Sequence, residues 1–435
     1  MDIDELRARL AETPSLRPLG HVRAVTGLTV RLVLPGARVG DVVLLRRRGE
    51  PLPAEIVGFD HGEAVAVALG ELSGIGPDDV VESTGAPLEV GTGEALLGRV
   101  LDGLGRPLDG QPLPRGLCSV PVDRAPPPAL GRRPVDSPLA TGVRAIDGVL
   151  TLGLGQRVGL FAGSGVGKST LLGAIARGTN ADAVVVALVG ERGREVGEFL
   201  ERSLGAQGMR RAVVVVATSD APALERLRAV QVATAVAEAF RDDGKNVLLL
   251  VDSVTRVARA QREIGLAAGE PPARRGYPPS VFALLPRLLE RSGQGARGSI
   301  TGIYTVLVEG GDMDEPIADE VRGILDGHIV LAREIAARGH YPAIDVPASL
   351  SRVMDVVVPP DHAAAARWLR ALVAAYEAKR DLIALGAYSK GSEARVDQAI
   401  MALPEVERFL QQPASELAAF EQTAAALKTL AARYR

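Results

Sequence analysis

Nine consecutive residues, Phe161-Ala162-Gly163-Ser164-Gly165-Val166-Gly167-Lys168-Ser169, have the types and spacing that hold a phosphate. Three glycines let the backbone turn its amides inward and approach an anion closely. Lys168 supplies a compact ammonium for the β and γ phosphates of a nucleotide, and Ser169 a hydroxyl for a divalent cation. The run lies between an apolar stretch, QRVGLFA, and a helix that starts at Lys168, so a helix N-terminus adds positive potential at the same point. Position one of the pattern is Ala162, where the strict form has glycine. A plain strand-to-helix turn shares the glycines but not the Lys-Ser pair in register with strand and helix.

Two more carboxylates have the placing that phosphoryl chemistry needs. The apolar run Val247–Asp252 ends in Asp252, which a parallel sheet would set at its carboxyl edge beside the loop, able to hold Mg²⁺ directly or through water. A helix N-cap looks similar in isolation. In Gly190-Glu191-Arg192-Gly193-Arg194-Glu195, Glu191 stands at the end of the strand after the loop helix, placed to orient and polarise an attacking water, and Arg192 is placed for the γ-phosphate. Acids at a helix start with solvated arginines give the same pattern, and the residues alone leave both readings open.

These groups need a frame. From Gln156 onward, strands that are apolar throughout alternate with helices: QRVGLFAG, then AVVVALVG with REVGEFLERSLG, AVVVVATS with ALERLRAVQVATAVAEAF, and NVLLLVD with a helix through Arg262. That rhythm predicts a parallel sheet covered on both faces. Before it, His21 to Thr84 reads as short β runs broken by turn residues, a small barrel or sandwich. Gly103 to Pro138 is rich in glycine and proline and reads as a wrapped connection. Pro359-Pro360 closes the α/β region, and alanine-rich helices follow to Arg435. The expected units are 1–84, 85–358 and 359–435. Residues 1–20 read as a short amphipathic turn (Ile3, Leu6, Leu10) ended by Pro14 and Pro18.

Composition narrows the class. In 435 residues, 47% apolar and 24% charged side chains make a globular chain with ample core, and a net charge of −3 argues against coating nucleic acid by bulk electrostatics. The single cysteine, Cys118, excludes a disulfide framework and fits a reducing compartment. The start, MDIDELRARL, lacks a basic n-region and an apolar h-region, and the longest apolar runs fall well short of the ~20 residues of a membrane span, so a soluble intracellular protein is expected. Only five of the 50 basic residues are lysines, so Lys168 stands out against an arginine background.

The runs PLATGVRAIDGVLTLGLGQRVGLFAGSGVGKST, VGERGREVGEFLE, LLLVDSVTRVARAQREIGLAAGEPP, RRGYPPSVFALLPRLLERSG and HYPAIDVPASLSRVMD resemble the type III protein-export ATPases of injectisomes and flagella, relatives of the rotary ATP synthase catalytic subunit. The likeness is dense from Gly98 to Ile400, and FAGSGVGKS with its alanine is usual in that family. It implies a RecA-like P-loop core with an N-terminal β-barrel and a C-terminal helical domain. It implies MgATP as substrate, phosphates on Ala162 to Thr170, and Mg²⁺ on Ser169 and, through water, Asp252. Glu191 matches the catalytic glutamate, Arg192 a γ-phosphate contact, Tyr341 a tyrosine stacked on adenine, and Arg352 an arginine finger inserted into a neighbour's site.

The resemblance further implies a homohexamer at the cytoplasmic face of the inner membrane, working with a central stalk, stator or regulator proteins, chaperone–substrate complexes and an export gate. Chaperone release and substrate unfolding would follow from cycling around the ring. The motifs DSVTR, LAAGEPP and VLVEGGDMDEP favour the injectisome over the flagellar branch. A rotary ATP synthase catalytic chain has the same fold, but EGGDMDEPIADEVRGILDGHIVL resembles the export family. Non-catalytic relatives lack the glutamate that Glu191 supplies. An RNA-tracking hexameric helicase also joins a barrel to this core, yet residues 1–84 offer one aromatic, Phe59, and nine arginines against thirteen acids, a poor surface for single strands, so no nucleic-acid partner is expected.

Overall fold

The computed structural model describes residues 18–434, and the amphipathic turn expected at Ile3, Leu6 and Leu10 lies outside them. Alternating sequence builds the first unit. Strands β1 (Leu19–Thr26), β2 (Thr29–Val33), β3 (Asp41–Leu45), β4 (Leu52–Asp60), β5 (Glu63–Ala68) and β6 (Val80–Pro87) close into an antiparallel barrel ordered β1-β2-β5-β4-β3-β6. In β2, Val30 and Leu32 are buried while Arg31 and Val33 are exposed, the period of a strand with one face inward. Val22, Leu32, Leu45 and Ile56 fill the interior.

Next come β7 (Glu89–Thr92), β8 (Val100–Asp102) and β9 (Cys118–Pro121), then β10 (Pro138–Leu139) and β11 (Leu152–Gly153). The Gly/Pro-rich connection therefore holds strands of its own, β9 pairing with β7 and β10 with β11, each short enough to fit between breakers.

The α/β core adds β12 (Arg157–Ala162), β13 (Ala183–Val189), β14 (Ala212–Ala217), β15 (Asn246–Asp252), β16 (Gly293–Gln294), β17 (Ser299–Leu307), β18 (Gly327–Leu331) and β19 (Leu350–Ser351). They form one sheet ordered β19-β18-β12-β17-β15-β13-β14-β8, with β16 attached to β17. Strand β13 is buried along its whole length because both faces are covered. Val184 and Val186 pack with Leu172 and Ile175 of the loop helix (Lys168–Gly178) on one face. Val185 and Val189 pack with Val230 and Val236 of the helix Ala223–Asp242 on the other. Since β12, β17, β15 and β13 run parallel, their carboxyl ends, and whatever follows them, collect at one edge.

Two helices depart from the sequence reading. The stretch REVGEFLERSLG is not one helix: Gly193–Glu198 passes into a π turn at Phe199–Leu204 and then Gly205–Met209. The wider turn keeps Phe199 and Leu204, five residues apart, both buried in the core. The helix after β15 runs past Arg262 to Ala267 and stops before Gly269, whose φ of 91° leaves the helical region. The C-terminal helices Pro360–Ala384, Ala394–Leu410 and Phe420–Tyr434 extend the core through Leu369, Phe409 and Leu427. Pro360 sits in the first turn of its helix, where its missing N–H is harmless. Among the described residues, no helix is long and apolar enough to cross a membrane.

A buried ion pair ties barrel to core. Arg228 Nε, on the helix Ala223–Asp242, donates to Glu55 Oε2 of β4 at 2.8 Å, and a second guanidinium nitrogen bonds Oε1. Both residues are buried, and burial pushes the Glu55 carboxyl up while Arg228 opposes the rise. Arg228→Ala would strand that carboxylate and is expected to cost about 3–5 kcal/mol in denaturant unfolding. The pair Arg228→Met with Glu55→Gln should recover most of the loss. A neutral Arg228→Ala would contradict the latch.

Candidate active site

Between β12 and its helix, the loop turns at Gly165 (φ 79°) and Gly167 (φ 90°), conformations that a side chain at either position would strain. Val166 between them is buried and anchors the loop to the core. Ala162 is the last residue of β12, Gly163 is half-buried, and Ser164, Ser169 and Thr170 are exposed around the mouth.

Lys168 folds inward. Its Nζ donates to Asp252 Oδ1 at 2.5 Å and lies 3.5 Å from Glu191 Oε1. The three groups come from the loop helix, the end of β15 and the turn after β13, and meet at the carboxyl edge that the parallel order creates. Thr305, on the intervening strand β17, donates its Oγ1 to the same Asp252 Oδ1 at 2.8 Å. The Asp252–Ser253 and Tyr341–Pro342 peptides are cis.

Glu191 meets a further cation. Arg256 Nε lies 3.3 Å from its Oε1, and Nη2 lies 3.4 Å from Oε2. Gly190 makes this approach possible, since a Cβ there would lie 2.6 Å from Arg256 Cδ. Burial holds the Glu191 carboxyl above its ordinary range and a bond with Glu195 adds to that, while Lys168 and Arg256 pull it back. Glu191 Oε1 and Arg256 Nε are both buried without a hydrogen-bond partner. They face one another at ion-pair distance; the Glu191 oxygen can still accept from a water, and the Arg256 N–H can still donate to a water or a phosphoryl oxygen.

A cleft of about 290 Å³ opens beside the loop helix, lined by Val166, Gly167 and Thr170 on one side and Tyr341, Pro413 and Glu416 on the other. The half-exposed Tyr341 ring packs against Gly167, its carbons 3.5 Å from where a Cβ would stand. The cleft is mainly apolar and next to the phosphate loop, which suits a base.

Two expected residues lie elsewhere. The Arg192 side chain is 81% exposed and 3.7 Å from Glu195, outside the cluster. Arg352 is exposed, and its N–H donates to Asp326 O at the start of β18, whereas the loop follows the far end of the adjacent β12. The strand between them spans ~15 Å at ~3.3 Å per residue, beyond what one arginine side chain bridges.

The donor set fits Mg²⁺ held with a nucleotide: hard oxygens from Ser169 and Asp252, and room for phosphate oxygens and water to complete the shell. Among the described residues, no group of three or more His, Cys, Asp or Glu side chains could hold a metal alone. Thr305, Arg256 and the C-terminal contributors Pro413 and Glu416 escaped the sequence reading. Nothing in the sequence singles out Thr305, since the run SITGIYTVL carries four hydroxyls.

Residues 142–351 match the ATP synthase alpha/beta family, nucleotide-binding domain, and residues 358–429 match the T3SS EscN ATPase C-terminal domain. The type 3 secretion system ATPase of Xanthomonas euvesicatoria is 53% identical over 430 residues, spanning 95% of this chain and 97% of its own length. The flagellum-specific ATP synthase of Bacillus subtilis is 52% identical over 421 residues, 96% of each chain. The assembled ATPase EscN of the enteropathogenic E. coli type III secretion system superposes with a TM-score of 0.89 at 46% identity, over 95% of this chain and 100% of that one. A second structure shows EscN with its central stalk EscO, with a TM-score of 0.88, 46% identity and the same coverage.

Proposed function

This chain belongs to the ATP synthase alpha/beta family, in the branch of the type III secretion and flagellar export ATPases, and from that premise we propose that its Lys168–Glu191–Asp252 cluster hydrolyses MgATP at the boundary between two copies of the chain. ATP hydrolysis in type III protein secretion is its activity. The observation that carries the site assignment is the meeting of loop lysine and two carboxylates within 3.5 Å at one sheet edge.

Loop amides from Gly163 to Thr170 bind the phosphates, and Tyr341 takes the adenine in the cleft. Ser169 and Asp252 would hold Mg²⁺, which when bound offsets charge on the β and γ oxygens. Lys168 exchanges its Asp252 contact for the γ-phosphate, and Thr305 keeps that carboxylate oriented. Glu191 polarises the in-line water. Arg192, exposed and free to swing, and Arg352 of a second copy offset the charge spread over the transferring group.

Glu191→Gln keeps the shape and should bind nucleotide while losing ~10²–10⁴-fold in kcat. The acid limb of kcat/KM should lie above the ordinary glutamate range, because the site desolvates the ionised form. Arg256 favours that ionised form, so Arg256→Gln should move the limb to still higher pH. Normal turnover in Glu191→Gln, or a limb that stays put in Arg256→Gln, would return Glu191 to a plain helix-start residue.

The working unit is a ring of six copies on a central stalk at the cytoplasmic face of the inner membrane, unloading chaperones and unfolding cargo for the export gate. The likeness to assembled EscN and to its stalk complex supports the ring and the stalk. Injectisome service is the favoured use, supported by the secretion-type C-terminal match. Deleting the gene should stop effector secretion and spare motility; lost motility with intact secretion would assign the flagellar branch instead.

A further inference from the structure

Residues 341–352 form a strap that runs antiparallel to β18, and its two ends carry chemistry for two different sites. At one end Tyr341 lines the cleft of its own loop. The strap then follows β18 through the Leu331–Ile344 bridge, Asp345 N–H to Val330 O at 2.8 Å, and β19 against Gly327 and His328. It ends at the exposed Arg352, a strand's length from its own loop. Such a strap fixes where the finger stands relative to a neighbour's phosphates.

The C-terminal helical region grips this strap at two points. Gln412 N–H donates to Tyr341 O at 2.9 Å, and the Gln412 side chain is itself held by Gly142 O at 2.7 Å and Arg144 N–H at 2.7 Å. Three residues before the finger, Arg370 Nη2, from the helix Pro360–Ala384, donates to Ser349 O at 2.6 Å. Ser349 is a fixed point: its Oγ donates to Asp345 O at 2.5 Å and accepts from Val330 N–H at 3.0 Å, and it is 1% exposed. Half-buried Arg370 thus spends a charged donor on a main-chain carbonyl of the strap.

We propose that Arg370 is a positioning residue for catalysis in trans: by holding Ser349 O, it lets the C-terminal region of one copy set the reach of Arg352 into the next copy's site. This rests on the trans-finger reading above. A finger displaced by about 1 Å loses on the order of 10²-fold in effectiveness, so a lost strap contact should be visible in turnover.

The test uses mixed rings. Lys168→Ala chains (intact finger, dead loop) are combined with Arg352→Ala chains (intact loop, dead finger), and recovered ATP turnover is read. Arg370→Met is then added to one partner at a time; methionine keeps bulk and removes the donor. In the finger-donating chain, it should cut the recovered turnover by ~10-fold or more, with nucleotide affinity of the loop-donating sites unchanged. In the loop-donating chain, whose finger is already absent, recovery should match the parent pair. Arg370→Lys in the finger donor, still able to reach a carbonyl, should restore much of the rate. Equal loss in both placements would mean a general structural role, and no loss in the finger donor would mean no role; either overturns the inference while leaving the trans finger standing. Failure of the parent pair to recover any turnover would remove the trans finger and this inference together.

Discussion

Lys168→Ala should abolish ATP turnover while the chain still folds. The lysine is the cation between Asp252 and Glu191 and, on the proposed mechanism, the group that moves onto the γ-phosphate, so the variant loses both the anchor and the charge at the transferring group. That loss exceeds the ~10²–10³ that removal of one neutral donor costs at such a site. Folding should survive because Asp252 keeps Thr305 and Glu191 keeps Arg256. Steady-state hydrolysis with a thermal melt checks both halves. Wild-type turnover would refute the site, and collapse of the fold would give Lys168 a structural weight that its place at the loop helix's first turn does not suggest.

Arg352→Ala should bind nucleotide with near-normal affinity and lose ~10³–10⁵-fold in kcat, the scale on which arginine fingers act. The split follows from the geometry. Base cleft, loop and both carboxylates belong to one copy, so binding is local, whereas Arg352 stands exposed at the opposite end of β18 and, on the proposed reading, serves a second copy. A variant that lost affinity and turnover in parallel would place Arg352 in ground-state binding instead.

Much of this arrangement was legible in the sequence, for reasons that differ by residue. The loop is read because glycine, lysine and serine at fixed spacing have little alternative use, and the structure gives Gly165 and Gly167 the positive φ that such a loop requires. Asp252 is read because the apolar run that ends in it follows the phosphate loop and further strand–helix pairs; alone, such a run is as good a helix N-cap. Glu191 was ambiguous from residue types alone, and burial against Lys168 and Arg256 is what the sequence could not display. Strand order was also hidden: β17 comes from residues 299–307 yet lies between the loop strand and the Asp252 strand, which is how Thr305 enters the site. Arg256 and Arg370 act through contacts 65 and 21 residues away in the chain, and no local period encodes those. The π turn at Phe199–Leu204 follows from packing, which outweighs helix propensity there.

The claim on which the account turns is that each site needs a second copy of this chain. The direct measurement is ATP turnover per chain across a dilution series, with oligomeric state followed in the same samples. Turnover should rise steeply with concentration as rings form and reach a plateau once assembly is complete. A dilute, demonstrably monomeric sample that hydrolyses ATP as fast per chain as the ring would contradict it.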